Sequence, residues 1–533
     1  MRKIFRLFAC TTLCLASVSA FAQNDYTAYT LSKWNPEGTA RSVSMGNAFT
    51  ALGGDLGAIG INPASSGVYR YNEVTFTPSF STTSIESHFL GNSTKESKTT
   101  FGIANIGGIA NINTGRKDYG LVSWDFGLVY NKVNNFNSTV SARGTNSKSS
   151  YLDVIADYTN NKYDNNGNAT PKGIYGYDLD KNDNQDPNQD PFRNFSPSYW
   201  PSILAWNTSL LDTLKRVNGY TFFPRTRDTT DLNNIYQYGN LNQYYKKKSF
   251  GSTSETDLNF GFNFSNKLYV GVNVGMMNVW NKVEETYSEE AGGTFGSGFN
   301  YFEQYYHQTT SGSGINMKFG LIYTPTNFLR IGAAISTPTW YYLTDKYYWD
   351  MSSDIAGGRG ATVPTPENSF DYKVTTPFKY NFGIAFTFPM GAFSLDYEGT
   401  DYSQMRMHER DGNGGSDSFR NINDAMDNYY KHSDVIRAGV EITPAQNFSA
   451  RAGFQYSNSG IKDLDIDNYV GSLGFGYNDP SGFFVDAAYM QYMKKTTAIY
   501  DAGDMVAGYV GDQASAPFKT NMWKLLFTFG YRF

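Results

Sequence analysis

Trp523 to Phe533 reads WKLLFTFGYRF. Trp523, Leu525, Phe527, Phe529, Tyr531 and Phe533 fall on one face of an extended strand, and Lys524, Thr528, Gly530 and Arg532 fall on the other. A strand of a soluble sandwich shows one apolar face, but rarely one so aromatic at the end of a chain. The same division recurs upstream. Leu258, Phe260, Phe262 and Phe264 alternate with Asn259, Gly261 and Asn263, and Ile436, Ala438, Val440 and Ile442 alternate with Arg437, Gly439 and Glu441. Phe393, Leu395 and Tyr397 alternate with Ser394, Asp396 and Glu398, while Val122, Trp124, Phe126, Leu128 and Tyr130 flank Asp125 and Gly127. Stretches of about ten residues with one greasy and one polar face are what strands between lipid and a polar lumen require.

Connection lengths add a parity argument, because transmembrane barrels have short periplasmic turns and longer extracellular loops. Short links are expected at Asn131 to Asn134, Ser265 to Lys267, Thr324 to Asn327, Pro389 to Gly391, Thr443 to Asn447 and Asn478 to Gly482. Long ones are expected at 89–118, 144–255, 283–313, 341–375, 405–431, 459–467 and 495–518. Counting back from Phe533, the two kinds alternate and give an all-β transmembrane antiparallel β-barrel of about 14 strands. Two stretches resist the strand pattern. Phe101, Ile103, Ile106 and Ile109 make a glycine-interrupted patch in the first long loop, and Trp200 to Leu214 reads as a helix. Ile203, Leu204, Trp206, Leu210, Leu211 and Leu214 either line a groove for an apolar ligand or pack the loop upon itself.

Composition fits. The 533 residues include 41 Tyr, 39 Phe and 52 Gly, and mean hydropathy is −0.47. No run after Gln23 approaches the roughly 18 apolar residues of a transmembrane helix. A formal net charge of −5 gives no basic footprint for nucleic acid. Arg2, Lys3 and Arg6, the apolar run Leu7 to Val18 and Ala20-Phe21-Ala22 read as a cleaved signal peptide over 1–22. Both cysteines, Cys10 and Cys14, lie inside it, which leaves disulfide and thiolate chemistry without residues.

One segment fits neither the signal nor the strands: Met45 to Gly67, MGNAFTALGGDLGAIGINPASSG. Met45, Phe49, Leu52, Leu56 and Ile59 recur at helical spacing, but the intervening glycines each cost up to about 1 kcal/mol in a helix interior. Short broken turns packed inside something are expected. Asn62 is suited to cap a brief turn that Pro63 begins. Residues 23–71 precede the first strand on the periplasmic side, where a segment can enter and plug the lumen of the barrel at 72–533.

The signal peptide, this segment, the alternating strands and the aromatic end together resemble the FadL family of outer-membrane transporters for long-chain fatty acids and other hydrophobic compounds. The resemblance is most specific from Gly46-Asn47-Ala48 to Asn62-Pro63-Ala64, which looks like that family's hatch, and Ser65-Ser66 departs from the glycine common there. It implies a monomeric barrel with a hatch in the lumen, the substrate path running past Met45, Phe49, Leu52, Leu56, Ile59, Asn62, Pro63 and Ala64. It further implies capture between extracellular loops and sideways exit at a kinked third strand, here counted as Asn134 to Arg143.

Catalysis finds little support. Gly54, Gly57 and Gly60 match no phosphate-loop spacing, and His88, His307, His408 and His432 mark neither a triad nor a metal site. Asp178, Asp180, Asn182, Asn184 and Asp186 place hard oxygens at alternating positions suited to Ca²⁺, although Asp183 stands where a calcium loop wants Gly. The expectation is passive uptake of a hydrophobic small molecule across the outer membrane of a Gram-negative bacterium, without enzyme activity. Expected partners are outer-membrane lipid and lipopolysaccharide, the ligand and the barrel-assembly machinery. A surface-binding or adhesive barrel and a diffusion porin are the alternatives.

Overall fold

A computed structural model describes residues 25–160, 179, 190–216, 219–231, 234–237, 239–410, 419–462, 467–493, 496–501 and 515–533. Fourteen antiparallel strands close on themselves. They are β1 (Glu73–Phe89), β2 (Asn92–Asn113), β3 (Leu121–Asn135, resuming over Ser138–Asn146), β4 (Leu241–Phe264), β5 (Leu268–Ala291) and β6 (Phe299–Thr326). β7 (Leu329–Ser336, resuming over Trp340–Ile355), β8 (Asn368–Thr375, resuming over Lys379–Phe388), β9 (Gly391–Asp401) and β10 (His432–Ala445) follow. β11 (Phe448–Ser457), β12 (Asn468–Asn478), β13 (Phe483–Tyr492) and β14 (Ser515–Arg532) complete the circle. β1 pairs with β14 from Glu73↔Arg532 to Ser87↔Phe518, so no edge is left open there.

Alternation explains the wall. Phe260, Phe319, Leu321, Ile331, Phe382, Phe454 and Phe475 are exposed on the outside, while Asp257, Asn259, Asn273, Asp396 and Arg437 are buried on the inside. So wide an exposed apolar surface is stable against lipid and not against water. Leu526, which breaks the polar side of the last strand, faces inward and packs on Ala40 and Val43.

The strand count agrees with the expectation, but several boundaries do not. Residues 89–118 are not a long loop: Asn92–Asn113 is a strand, joined to β1 by a tight turn at Leu90-Gly91. Asn131 to Asn134 is not a turn and lies within β3. The cause is a bulge. Thr77 pairs with Asn105 but Pro78 with Ile103, so Ala104 is an extra residue beside a proline that has no N–H to donate. Across it the parity flips. Phe101, Ile103 and Ile106 face outward and Ile109 inward, which hid the period of 2.

Several strands are far longer than a membrane needs. β4, β5 and β6 have 24, 24 and 28 residues, against roughly 9–11 for a crossing. Their far ends project as a curved wall, and the expected long loops at 283–313 and 341–375 are mostly strand. Helices α3 (Tyr151–Asn160) and α4 (Trp200–Asn207) dock on this wall and bury Tyr151, Leu152, Ile155, Trp200, Ile203 and Leu204 against Tyr287, Phe302, Tyr306 and Trp349. Glu289 of the wall anchors this cap. Its carboxylate accepts from the Tyr151 backbone N–H at 2.8 Å, Ser150 Oγ at 2.5 Å, Gln243 Nε2 at 2.8 Å and Tyr287 Oη at 2.7 Å. Glu289→Ala removes the acceptor that four buried donors share, Gln243 Nε2 keeping the Ser149 carbonyl at 3.0 Å, at a cost on the order of 3 kcal/mol. The expected outcome is rapid proteolytic nicking within 146–240 while the barrel keeps its heat-modifiable migration on gels; unchanged nicking would show that the cap is held elsewhere.

The amino-terminal segment fills the lumen. Helix α1 (Asp25–Ser32) lies near the mouth, α2 (Ala40–Ser44) lies deeper, and short 3-10 turns at Leu56–Ala58 and Pro63–Val68 lead to Asn72. Asn72 exchanges backbone hydrogen bonds with Phe533 at 3.1 Å each, at the end of the barrel with short turns. The segment therefore runs the length of the lumen.

Candidate functional site: the filled lumen and the break beside it

The lower lumen is sealed by backbone against backbone. Met45, Phe49, Leu52, Leu56, Ile59, Asn62, Pro63 and Ala64 are all buried. Asn62 caps the turn as its sequence suggests, its Oδ1 accepting from the Ala64 N–H at 3.0 Å. Its Nδ2 donates to the Thr50 carbonyl at 2.6 Å and the Leu321 carbonyl of β6 at 3.2 Å. The wall answers with inward polar groups. Asn259 donates to the Pro63 carbonyl at 3.2 Å, Asn381 to the Ile61 carbonyl at 3.2 Å, and Asp396 accepts from the Thr50 N–H at 2.6 Å. The close fit depends on glycine in the wall. A Cβ added at Gly271 would lie 2.1 Å from the Pro63 carbonyl carbon, and one at Gly320 would lie 1.9 Å from Asn62 Oδ1.

Two buried ion clusters tie the segment down. Arg41 donates to Glu441 at 2.9 and 3.1 Å, and Arg451 donates to Glu441 and to Asp486 at 2.5 Å each. Glu37 accepts from Lys524 at 2.9 Å and Ser79 at 3.2 Å, with Lys132 Nζ 3.6 Å away. Burial works against the Glu37 charge, but Lys524 and Lys132 beside it hold its carboxyl below the usual carboxylate range.

Above these clusters the lumen turns apolar. Met277, Met405, Met407, Met426, Tyr341 and Phe419 surround α1, whose Tyr29 packs on Tyr402 and Tyr430 with ring centroids 4.9 and 5.1 Å apart. Helix α5 (Arg420–Tyr429) roofs this chamber. At its floor, Trp34 Nε1 donates to Glu255 at 3.2 Å, and Lys318 donates to the same carboxylate at 2.6 Å. A cavity of about 30 Å³ remains there between Leu31, Trp34, Tyr341 and Lys379. Thioethers and aromatic rings give a surface that repacks around apolar shapes.

Beside the chamber the wall is broken. The β2–β3 ladder ends at Asn105↔Asn131, and beyond it β3 pairs only with β4 among the described residues. β3 itself shifts register between Lys132 and Asn134 and lapses at Phe136-Asn137. Lys132 crosses the gap, its Nζ lying where a Cβ on Gly102 would meet it at 2.4 Å. Asn134 to Arg143, the stretch expected to be the third strand, straddles this break instead of forming a strand alone.

Ile203, Leu204, Leu210 and Leu211 are buried in the cap, and Trp206 and Leu214 are half-buried there, Trp206 packing edge-on against Phe222. Ile203, Leu204, Trp206, Leu210 and Leu211 pack into the buried core of the cap. Asp178, Asp180, Asn182, Asn184 and Asp186 lie outside the described residues. Glu441 and Arg451 were legible as inward polar groups, but the tie of Glu441 to Arg41, the Glu37 cluster, the role of the inward glycines and the placement of α1 were missed from sequence. Only the glycines carried a signal, as glycines at polar-face positions of successive strands.

Among solved structures, a FadL homologue of Pseudomonas aeruginosa superposes with a TM-score of 0.52 at 12% identity, over 93% of this chain and 98% of that one. The fold is FadL-like. The toluene transporter TodX of P. putida superposes on this FadL-like barrel with a TM-score of 0.50 at 14% identity, over 93% of this chain and 99% of that one. At such identities the likeness is one of fold. No protein-family model matches the sequence, and no curated protein sequence matches it.

Proposed function

We propose that this chain is an outer-membrane transport protein through which hydrophobic small molecules pass without a covalent step. The observation that carries the reading is the juxtaposition of an apolar, methionine-rich cluster around α1, a closely packed lower lumen and an interrupted wall ladder at the level of Lys132. An apolar solute that displaces α1 from this cluster meets polar, tightly packed backbone below it and, beside it, the interrupted ladder that Ser87, Thr94 and Glu96 span by hydrogen bonds to Ser141. The likeness to a FadL homologue and to a toluene transporter supports this class of cargo. Long-chain fatty acids are the proposed substrates, residues 23–71 the hatch and residues 1–22 the export signal, with a monomer in the outer membrane as the working unit.

The test uses the absence of cysteine outside Cys10 and Cys14. Gly102→Cys with Lys132→Cys, bridged across the gap by a short bis-maleimide, is expected to reduce oleate uptake into proteoliposomes to the level of protein-free vesicles. The unbridged double variant should retain uptake. Equal uptake before and after bridging would remove the gap from the path, and uptake absent from the native protein for oleate and toluene alike would end the transport reading. In that event the folded cap on the projecting wall favours the surface-binding alternative.

A further inference from the structure

The outer face of the projecting wall carries a groove that transport does not use. We infer that it binds the phosphorylated headgroup of an outer-leaflet glycolipid. Met276, Ile315 and Trp340 end the lipid-facing band on β5, β6 and β7. One step further from the short-turn end, Asn278, Ser311 and Ser313 floor a groove of about 480 Å³ between Trp280 and Tyr342. Those two rings are 47% and 53% exposed. Exposed aromatic faces beside hydroxyls and an amide suit a sugar ring, whose apolar face stacks while its hydroxyls hydrogen-bond.

Charge selects the phosphate. Lys373 Nζ lies 5.4 Å over the Tyr342 ring, and Arg410 lines the groove. Among the described residues, Asp371 is the carboxylate that meets these groups, accepting from Arg410 at 2.6 Å and from Thr344 at 2.6 Å. Among the described residues, two cations against one carboxylate leave a net positive rim, and Lys346, exposed one outward position beyond Thr344, adds to it. Basic side chains just above an apolar band are placed for the anionic headgroup layer. A sugar that carries phosphate, with acyl chains descending along the band, satisfies the aromatic pair, the cations and the location together.

The inference rests on the proposed outer-membrane location and not on transport. Purified full-length protein in mixed micelles would be titrated with diphosphoryl lipid A, with its dephosphorylated form and with phosphatidylglycerol, binding being read by native mass spectrometry. Lys373→Ser with Arg410→Ser is expected to weaken lipid A binding about tenfold, the equivalent of roughly 1.4 kcal/mol. Trp280→Ala should weaken both forms of lipid A, and heat-modifiable migration would confirm that each variant is folded. Unchanged lipid A affinity in the double variant, or phosphatidylglycerol binding as tightly as lipid A, would overturn the site. Oleate uptake by the same variants should stay native, so a failure of glycolipid binding and a failure of transport are read separately.

Discussion

The Gly271→Val, Gly320→Val protein is expected to conduct ions in a planar bilayer where the native protein stays closed. Gly271 and Gly320 are cross-strand partners on β5 and β6. Beneath them pass Pro63 and Asn62 at distances that leave no room for even one methyl group. The added atoms would have to overlap the plug backbone on one side and the Asn62 amide on the other. Overpacking of a close-packed interior typically costs about 1–3 kcal/mol per site, and here neither neighbour is the free end of a flexible side chain. Something has to move.

The strands have less freedom to do so. Gly271 and Gly320 lie in strands paired on both sides, Gly271 opposite Gly261 and Gly320, and Gly320 opposite Gly271 and Ala334, whereas the turn at Pro63–Val68 rests on a few side-chain bonds. The plug therefore yields and the lumen opens. Gly293→Val is the matched control, since nothing lies within 4 Å of a Cβ at that loop position. A double variant as silent as the native protein would show that the plug adjusts without losing its seal.

That contact also marks where the sequence was informative. Strand count and fold class were legible because lipid on one side and a polar lumen on the other impose a strict alternation, which survives in Leu258 to Phe264 and Trp523 to Phe533 without any long-range information. It failed where one residue was inserted: Ala104 opposite Pro78 reversed the parity of Phe101 and Ile109, and a strand was taken for a loop. Strand length was underestimated for another reason. Above the membrane, β4 to β7 lose their lipid-facing residues and read as polar loops, yet their inner faces still bury Tyr287, Phe302 and Tyr347 under the cap.

The plug was legible as a segment, and Asn62 as its cap, because capping is a local property. Its partners were not. Arg41 meets Glu441 across 400 positions, and Glu37 meets Lys524 across 487. Nothing local in either residue says that its partner exists. The same holds for α1, whose eight residues carry no mark of lying among methionines from strands and loops hundreds of positions away.

Glu441→Ala is the second large effect expected, and it separates anchoring of the plug from anchoring of the barrel. Glu441 sits between two guanidinium groups, taking two hydrogen bonds from Arg41 and one from Arg451. Arg451 keeps Asp486 when Glu441 is removed, but Arg41 is left with no carboxylate in hydrogen-bond contact among the described residues, keeping the Gly54 carbonyl at 3.0 Å, the Phe49 ring beneath it and the more distant Asp55 and Asp486. A buried charge left without its partner costs about 3–5 kcal/mol. The loss falls on the plug, because local opening follows the weakest cooperative unit and the ladder of β10 with β9 and β11 is untouched. Backbone amides of residues 40–54 should then exchange with deuterium far faster than in the native protein, while those of β10 and β11 stay protected. The decisive companion is Arg41→Met with Glu441→Leu. It removes one charge of each sign, leaves Arg451 paired with Asp486 and fills the space with apolar atoms, so protection at 40–54 should largely return. If the double variant exchanges as fast as Glu441→Ala, the ion pair holds the plug by direction and geometry that apolar packing does not replace.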